Sequence, residues 1–155
     1  MKFLGVRNYS GGIRYCILEP DVNGKPICIN LEGENLIRIP KEYIDNCEEM
    51  LVWYKNEINR IIDKYCIESV GLKHNENTPG RYTSLKKIMF MDCIVTLVSL
   101  EKNIPFSSYS YNQIGINSST VQAEAEILFG RTSKKWDSSM ADAMMVAYKQ
   151  YKDEV

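Results

Sequence analysis

The chain has 155 residues, of which 45% are hydrophobic and 25% are charged. It is long enough for one sizeable core and too short for two ordinary domains, so we expect a single domain spanning residues 1–155. Nineteen basic residues against 20 acidic residues give a formal net charge of -1. This excludes a strong overall positive field, and any binding to nucleic acid must therefore be local.

The cysteines and the apolar segments indicate a protein of the cytoplasm. Five cysteines are an odd number, and none belongs to a Cys-x-x-Cys pair, so neither a disulfide framework nor a zinc site is expected. We predict that they are reduced core residues. The most apolar segment, residues 88–100, contains Asp92 and is followed by Glu101, which argues against a membrane span. The N-terminus is apolar too briefly for a signal peptide.

The first forty residues predict three consecutive antiparallel strands. A turn at residues 8–12 contains Asn, Ser and two Gly residues, which suit a hairpin. The third strand is broken around Glu32-Gly33-Glu34. Short turns between successive strands favour a meander. The strands, rich in branched and aromatic residues, are predicted at 2–7, 13–19 and, in two pieces, at 26–30 and 35–39.

From Pro40 the apolar residues recur every three or four positions to Tyr65, which predicts a helix of roughly six turns. A strand at 67–73, a polar loop and an apolar helix at 85–100, capped by Thr83 or Ser84, follow. Apolar residues go nearly all the way round that second helix. We therefore expect the sheet to bury one side of it, and another helix or a second subunit to bury the other.

The remaining residues predict one more strand and two helices. The strand is expected at 104–111, a helix at 119–129 ended by Gly130, and a closing helix at 137–151 capped by Asp137 or Ser138. This order predicts an α/β domain. Its mixed five-stranded sheet has three antiparallel strands and then two parallel strands, flanked by helices.

Two local patterns accompany this order of elements. The first strand ends in a Gly-Val-x sequence at residues 5–7, and residues 137–147 read Asp-Ser-Ser-Met-Ala-Asp-Ala-Met-Met-Val-Ala. The second pattern resembles the Asp-x-x-Asp-Ala-Leu-Ala pattern of Holliday-junction resolvases. The order and the patterns together resemble the ribonuclease H-like fold and its RuvC-like branch, over nearly the whole chain.

The resemblance implies a phosphodiesterase site with two magnesium ions held by clustered carboxylates. The family places one acid at the end of the first strand, one at the end of the fourth, and one or two on the last helix. Here the strand positions are Arg7 and Lys73, and on the helix Asp142 matches the family's aspartate while Ser139 precedes it by three. Two cations repel a divalent metal and attract a carboxylate or a phosphate. We therefore expect Asp142 to pair with Arg7 or Lys73, and no metal cofactor.

Other ionisable residues are weaker candidates. Asp137 lies five positions from Asp142, about 140° round the helix, so the two do not share a face; an N-cap is preferred to a ligand role. Glu76, in the loop after the fourth strand, is a candidate substitute ligand. His74 lacks an identifiable partner for acid/base catalysis, and Asp92 is expected to bond to a neighbour.

Basic residues gather in two groups, with Tyr82 and Trp136 beside them. If they border the face that carries Arg7 and Lys73, they supply a local positive surface for a phosphate backbone or an acidic protein. Solvated lysines scattered on loops are an equally open interpretation. The groups are Arg81, Lys86 and Lys87, and Arg131, Lys134 and Lys135.

The preferred hypothesis is a catalytically degenerate RuvC-like domain, not an enzyme, that binds nucleic acid or a protein partner through a basic former active site. A homodimer through the helix at 85–100 is compatible with it. The alternative is an endonuclease dependent on Mg²⁺ or Mn²⁺, in which Asp142 binds the metal with Glu76, Asp137 or Glu19. A purely structural subunit is a third hypothesis.

Overall fold

The computed structural model describes residues 1–76 and 82–155. Within these ranges the chain forms six strands, five α-helices and one short 3-10 helix, at Lys41–Tyr43. The strands are β1 (Phe3–Tyr9), β2 (Gly12–Pro20), β3 (Pro26–Cys28), β4 (Leu36–Arg38), β5 (Ser69–Lys73) and β6 (Phe106–Tyr109). The helices are α1 (Cys47–Tyr65), α2 (Tyr82–Glu101), α3 (Tyr111–Ile114), α4 (Val121–Phe129) and α5 (Ser138–Glu154).

The strands form one mixed sheet in the order β3-β2-β1-β5-β6, and β4 also pairs with β2. β2 is antiparallel to β1, β3 and β4, while β5 is parallel to β1 and β6. The predicted mixed sheet flanked by helices is confirmed. The broken third strand is two separate strands, because the Asn30 side chain replaces the ladder between them: it accepts from Ile17 N at 2.9 Å and donates to the Tyr15 carbonyl at 3.1 Å.

Helices cover both faces of the sheet and enclose two apolar cores. On one face α1 and α2 bury residues such as Tyr54, Ile58 and Val95 against the sheet. On the other face α4 and α5 pack against side chains such as Phe3. Among the described residues, no helix has the length and apolar character needed to cross a bilayer.

Several helix ends differ from the sequence prediction. α1 begins after Asn46, whose side chain accepts from Glu49 N, so the predicted start at Pro40 is wrong, and Ile44 is 46% exposed. α2 already includes Thr83 and Ser84, so neither residue caps it. The short helix α3 was not predicted. The N-cap role of Asp137 is confirmed, because its carboxylate accepts from Met140 N at 2.9 Å.

The cysteines are only partly core residues. All five are free thiols, and Cys16 and Cys28 are buried. Cys66 and Cys93 are exposed, so the prediction of a core position is wrong for these two. Cys66 ends α1 in a left-handed conformation with φ 53°, and Cys93 lies on the outer side of α2.

Helix α5 lies in backbone contact with the central strands because two glycines leave room for it. A Cβ on Gly5 would lie 1.9 Å from the Ala143 carbonyl oxygen and 2.7 Å from the Ala147 Cβ. A Cβ on Gly71 would lie 2.7 Å from the Val146 carbonyl oxygen. This close approach sets how near the side chains of α5 come to the ends of β1 and β5.

We predict that Gly5→Ala lowers the free energy of unfolding by about 1–3 kcal/mol, because the added methyl group overlaps the α5 backbone. Gly33→Ala is the matched control, since a Cβ there meets nothing within 4 Å and should change stability by less than about 0.5 kcal/mol. Urea denaturation of both variants measures the difference. Equal stability of the two variants would contradict this packing.

Candidate functional site

Three basic residues stand side by side across the middle of the sheet. Arg7 lies opposite Arg14 in the β1–β2 ladder and opposite Lys73 in the β1–β5 ladder. We call Arg14, Arg7 and Lys73 the cation row. Side chains alternate along a strand, and Gly5 and Gly71, two positions earlier, face α5. Arg7 and Lys73 therefore point to the same side, under the first turns of α5.

Each member of the cation row has its own carboxylate. Arg14 Nη1 lies 3.1 Å from Asp137 Oδ2, and Lys73 Nζ lies 2.7 Å from Glu76 Oε2. The predicted pairing of Asp142 with a strand-end cation is present and involves Arg7, whose Nε lies 3.2 Å from Asp142 Oδ2. The contact is electrostatic, because the Arg7 Nε–H has no hydrogen-bond partner among the described residues. The Arg14–Asp137 pair was not predicted.

One member of each pair is buried, and burial opposes its charge. Lys73 is 0% exposed and Asp142 is 2% exposed. Burial raises the pKa of Asp142, and the Arg7 guanidinium offsets only part of that rise. Burial likewise lowers the pKa of Lys73 against the opposing effect of Glu76. Burial of Glu76 acts to raise its pKa, but the Lys73 ammonium and the Tyr111 N–H outweigh it, and the pKa is lowered.

Tyr111 connects two of these ion pairs. It begins α3, directly beyond the end of β6, and its hydroxyl lies 2.8 and 2.9 Å from the two carboxylate oxygens of Asp142. Its ring covers Lys73, with Nζ 4.0 Å from the centroid, and its backbone N–H donates to Glu76 Oε2 at 2.9 Å. The sequence pattern predicts Tyr111 only as the last residue of the strand at 104–111, without a role in the site. Its position just past a parallel strand end is the signal that could have identified it.

A second cluster of polar side chains lies at the same edge of the sheet but on its other face, which α1 and α2 cover. Asn8 Nδ2 donates to Asp92 Oδ1 at 2.8 Å, and the Tyr54 hydroxyl donates to Asn8 Oδ1. The prediction that Asp92 bonds to a neighbour is confirmed. Burial raises the pKa of Asp92 to about 6. His74 Nδ1 lies 2.8 Å from Ser108 Oγ, and burial lowers the pKa of His74.

Most of the remaining predicted basic residues lie at the surface. Lys134 and Lys135 are exposed in the loop before α5, and Asp137 at its end pairs with Arg14 of the cation row. Lys86 and Lys87 lie near the start of α2 and therefore at the same sheet edge, because α2 connects the end of β5 to the start of β6. Lys86 lies 3.7 Å from Glu48, and exposed Arg131 lies 2.5 Å from Glu126. The predicted Arg81 falls outside the described residues.

The carboxylates of the site do not converge. Asp137, Asp142 and Glu76 each approach a different cation, and Asp142 also accepts from Tyr111. Glu19, the other predicted alternative ligand, lies opposite Ile27 in the β2–β3 ladder, at the far end of β2 from Arg14. Across residues 1–76 and 82–155, no group of three or more His, Cys, Asp or Glu side chains could hold a metal ion. As arranged, this donor set does not fit a pair of divalent ions, which need several free oxygen ligands each.

The fold is shared with solved structures, although no protein-family model and no curated protein sequence matches the chain. Thermus thermophilus RuvC in complex with a Holliday junction substrate is 13% identical, with a TM-score of 0.77 over 99% of this chain and 96% of that one. The yeast mitochondrial Holliday junction resolvase Ydc2 is 15% identical, with a TM-score of 0.66 over 97% of this chain and 77% of the other.

A viral protein has the same architecture. The fowlpox virus Holliday junction resolvase is 11% identical, with a TM-score of 0.59, and the match covers 100% of both chains. Sequence identities this low show a shared fold and nothing about shared activity. In element order, sheet topology and overall superposition, the chain has the ribonuclease H-like fold in its RuvC-like form.

Proposed function

We propose that this chain is a RuvC-like domain that binds branched nucleic acid without hydrolysing it. The observation that carries the proposal is the cation row. Arg7 and Lys73 occupy adjacent strand ends, and each is already neutralised by one carboxylate. The branched substrate class comes from the structural neighbours, since one of them is bound to a Holliday junction.

Electrostatics supports a site without hydrolysis. At an effective dielectric constant near 20, a divalent ion 4 Å from one fixed positive charge meets a repulsion of roughly 8 kcal/mol. Arg7 and Lys73 would both exert it, and the nearest carboxylates are engaged with them. Arg7 supplies to Asp142 the counter-charge that a metal ion would otherwise supply. No cofactor is therefore part of the proposal.

Partly exposed lysines at this sheet edge, rather than the buried Lys73, are the proposed contacts to the phosphate backbone. Lys73 is 0% exposed and cannot reach a ligand without losing Glu76. Lys86 and Lys87, near the start of α2 at the same sheet edge, are partly exposed. Because the formal net charge of the chain is -1, binding through this one edge should be sensitive to salt.

We further infer a homodimer through the outer face of α2. The inner face buries Met91, Val95 and Val98, whereas Met89 is 55% exposed and Leu100 is 64% exposed. A helix that is apolar on both sides needs a second cover. A second copy of the same helix provides one, since the two like faces of a twofold interface are self-complementary.

We expect the parent protein to bind a four-way DNA junction in Mg²⁺ or Mn²⁺ buffer and to leave it uncut. Lys86→Ala/Lys87→Ala should weaken binding and reduce the slope of log affinity against log salt by about 2, because two phosphate contacts are lost. Lys149→Ala/Lys152→Ala, near the far end of α5, removes the same charge and is the control. Fluorescence anisotropy and a cleavage gel give the two readouts.

Cleavage by the parent protein that disappears in Asp142→Asn would instead support the alternative, a metal-dependent endonuclease with a rearranged carboxylate set. Absence of junction binding would contradict the proposed function and leave a protein partner as the ligand to seek.

For the dimer, we predict that Met89→Glu converts the protein to a monomer in sedimentation velocity, because a charge enters the apolar interface. Val52→Glu should leave the dimer intact, since Val52 is 67% exposed on α1, away from the outer face of α2. A monomeric parent protein would contradict the proposed interface. So would a dimer that both substitutions leave unchanged.

A further inference from the structure

Lys135 has a backbone conformation that is unusual for its residue type. Its φ is 48°, in the left-handed region, which costs a residue with a Cβ roughly 1 kcal/mol relative to glycine. The side chain is exposed, and Nζ lies 5.4 Å from the centre of the Tyr9 ring. A lysine at a position suited to glycine suggests that its side chain has a use.

The backbone around Lys135 is fixed from beneath by Arg14. Arg14 is 0% exposed, and its Nη1 donates to the Lys135 carbonyl at 2.7 Å and to Asp137 at 3.1 Å. The other side of the same guanidinium donates to the side-chain oxygen of Asn35 at 3.0 Å. Lys135 is therefore held in place at its backbone, unlike a lysine on a loose loop, and less entropy is lost when it binds a ligand.

Tyr9 and Arg38 lie across the hairpin from one another. Gly12 of β2 lies between them: it is opposite Tyr9 of β1 on one side and opposite Arg38 of β4 on the other. Because Gly12 has no side chain, it does not separate the side chains of Tyr9 and Arg38. Burial raises the pKa of Tyr9 and Arg38 offsets part of that rise, so the hydroxyl keeps its proton at neutral pH. Tyr9 lies two residues beyond Arg7, or about 7 Å along the strand.

We propose that Lys135, Arg38 and the Tyr9 hydroxyl form a subsite for one phosphodiester group of the bound nucleic acid. An ammonium, a guanidinium and a phenol hydroxyl are all donors, and together they match the oxygens of a phosphate. Asp137, whose negative charge contributes to the raised pKa of Tyr9, is neutralised by Arg14. The subsite rests on the proposed nucleic-acid function and names where one phosphate is held.

We do not propose that the Tyr9 ring stacks on a nucleobase. Lys135 already lies over it, and a Cβ on Gly11 would come within 2.8 Å of the Tyr9 Cε2. The ring is thus in contact with the hairpin backbone and with a side chain, whereas Arg38 and Lys135 are exposed. The ligand group is therefore the phosphate and not the nucleobase.

The test compares Lys135→Gly with Lys134→Ala in binding to a four-way DNA junction at fixed salt. Lys135→Gly suits the left-handed backbone, so urea denaturation should show stability equal to or above that of the parent. Its affinity for the junction should nevertheless fall about tenfold, as should that of Arg38→Gln, and Tyr9→Phe should lose about threefold. Lys134→Ala removes the same charge from the same exposed loop and should cost less than about threefold.

Equal losses for Lys135→Gly and Lys134→Ala would overturn the subsite and leave nucleic-acid binding by a diffuse positive surface intact. Failure of the parent protein to bind the junction would overturn both proposals. A Lys135→Gly variant that is markedly less stable than the parent would show that the lysine serves the loop itself, and would also overturn the subsite.

Discussion

Three positive charges in one row across adjacent strands must each be neutralised within the protein. Arg14, Arg7 and Lys73 are direct neighbours in the ladders, and two of them are completely buried. An unpaired buried cation costs several kcal/mol, and breaking a buried pair costs about 3–5 kcal/mol. The acids that neutralise the row come from outside the strands, two from the start of α5 and one from the loop after β5.

This requirement determines the architecture around the strand ends. Gly5 and Gly71 allow α5 to approach the sheet closely enough for Asp142 to reach Arg7. Asp137 caps α5 and binds Arg14 at the same time, so the start of the helix is tied to β2. Tyr111 then covers Lys73 and donates to Asp142, which closes the network from the side of β6. The chain thus combines the RuvC-like fold with paired cations at its central strand ends.

Much of this arrangement was predictable from local patterns. Arg7 and Lys73 end two strands that the element order makes parallel neighbours, so their adjacency follows from the topology. Asp137 is predictable as a cap because an Asp side chain at a helix start accepts from the free backbone N–H groups of the first turn. Asp142 lies on the inner side of that helix, and a single carboxylate beside two cations predicts an ion pair.

The rest depended on contacts that no local pattern encodes. The Arg14–Asp137 pair needs both the strand register and the position of a helix start more than a hundred residues later. The split of the third strand follows from one side chain, Asn30, replacing backbone bonds. α1 starts later than Pro40 suggests because Asn46 provides a capping oxygen that proline cannot. The function of Tyr111 emerges only where three elements meet.

The central claim is that internal cations have taken the place of metal ions at these strand ends. Isothermal titration of the protein with Mn²⁺ tests it most directly, because it requires no substrate and no catalysis. The account predicts no saturable binding at millimolar Mn²⁺, for the parent protein and for Asp142→Asn alike. Saturable binding of two ions per chain that Asp142→Asn abolishes would contradict it.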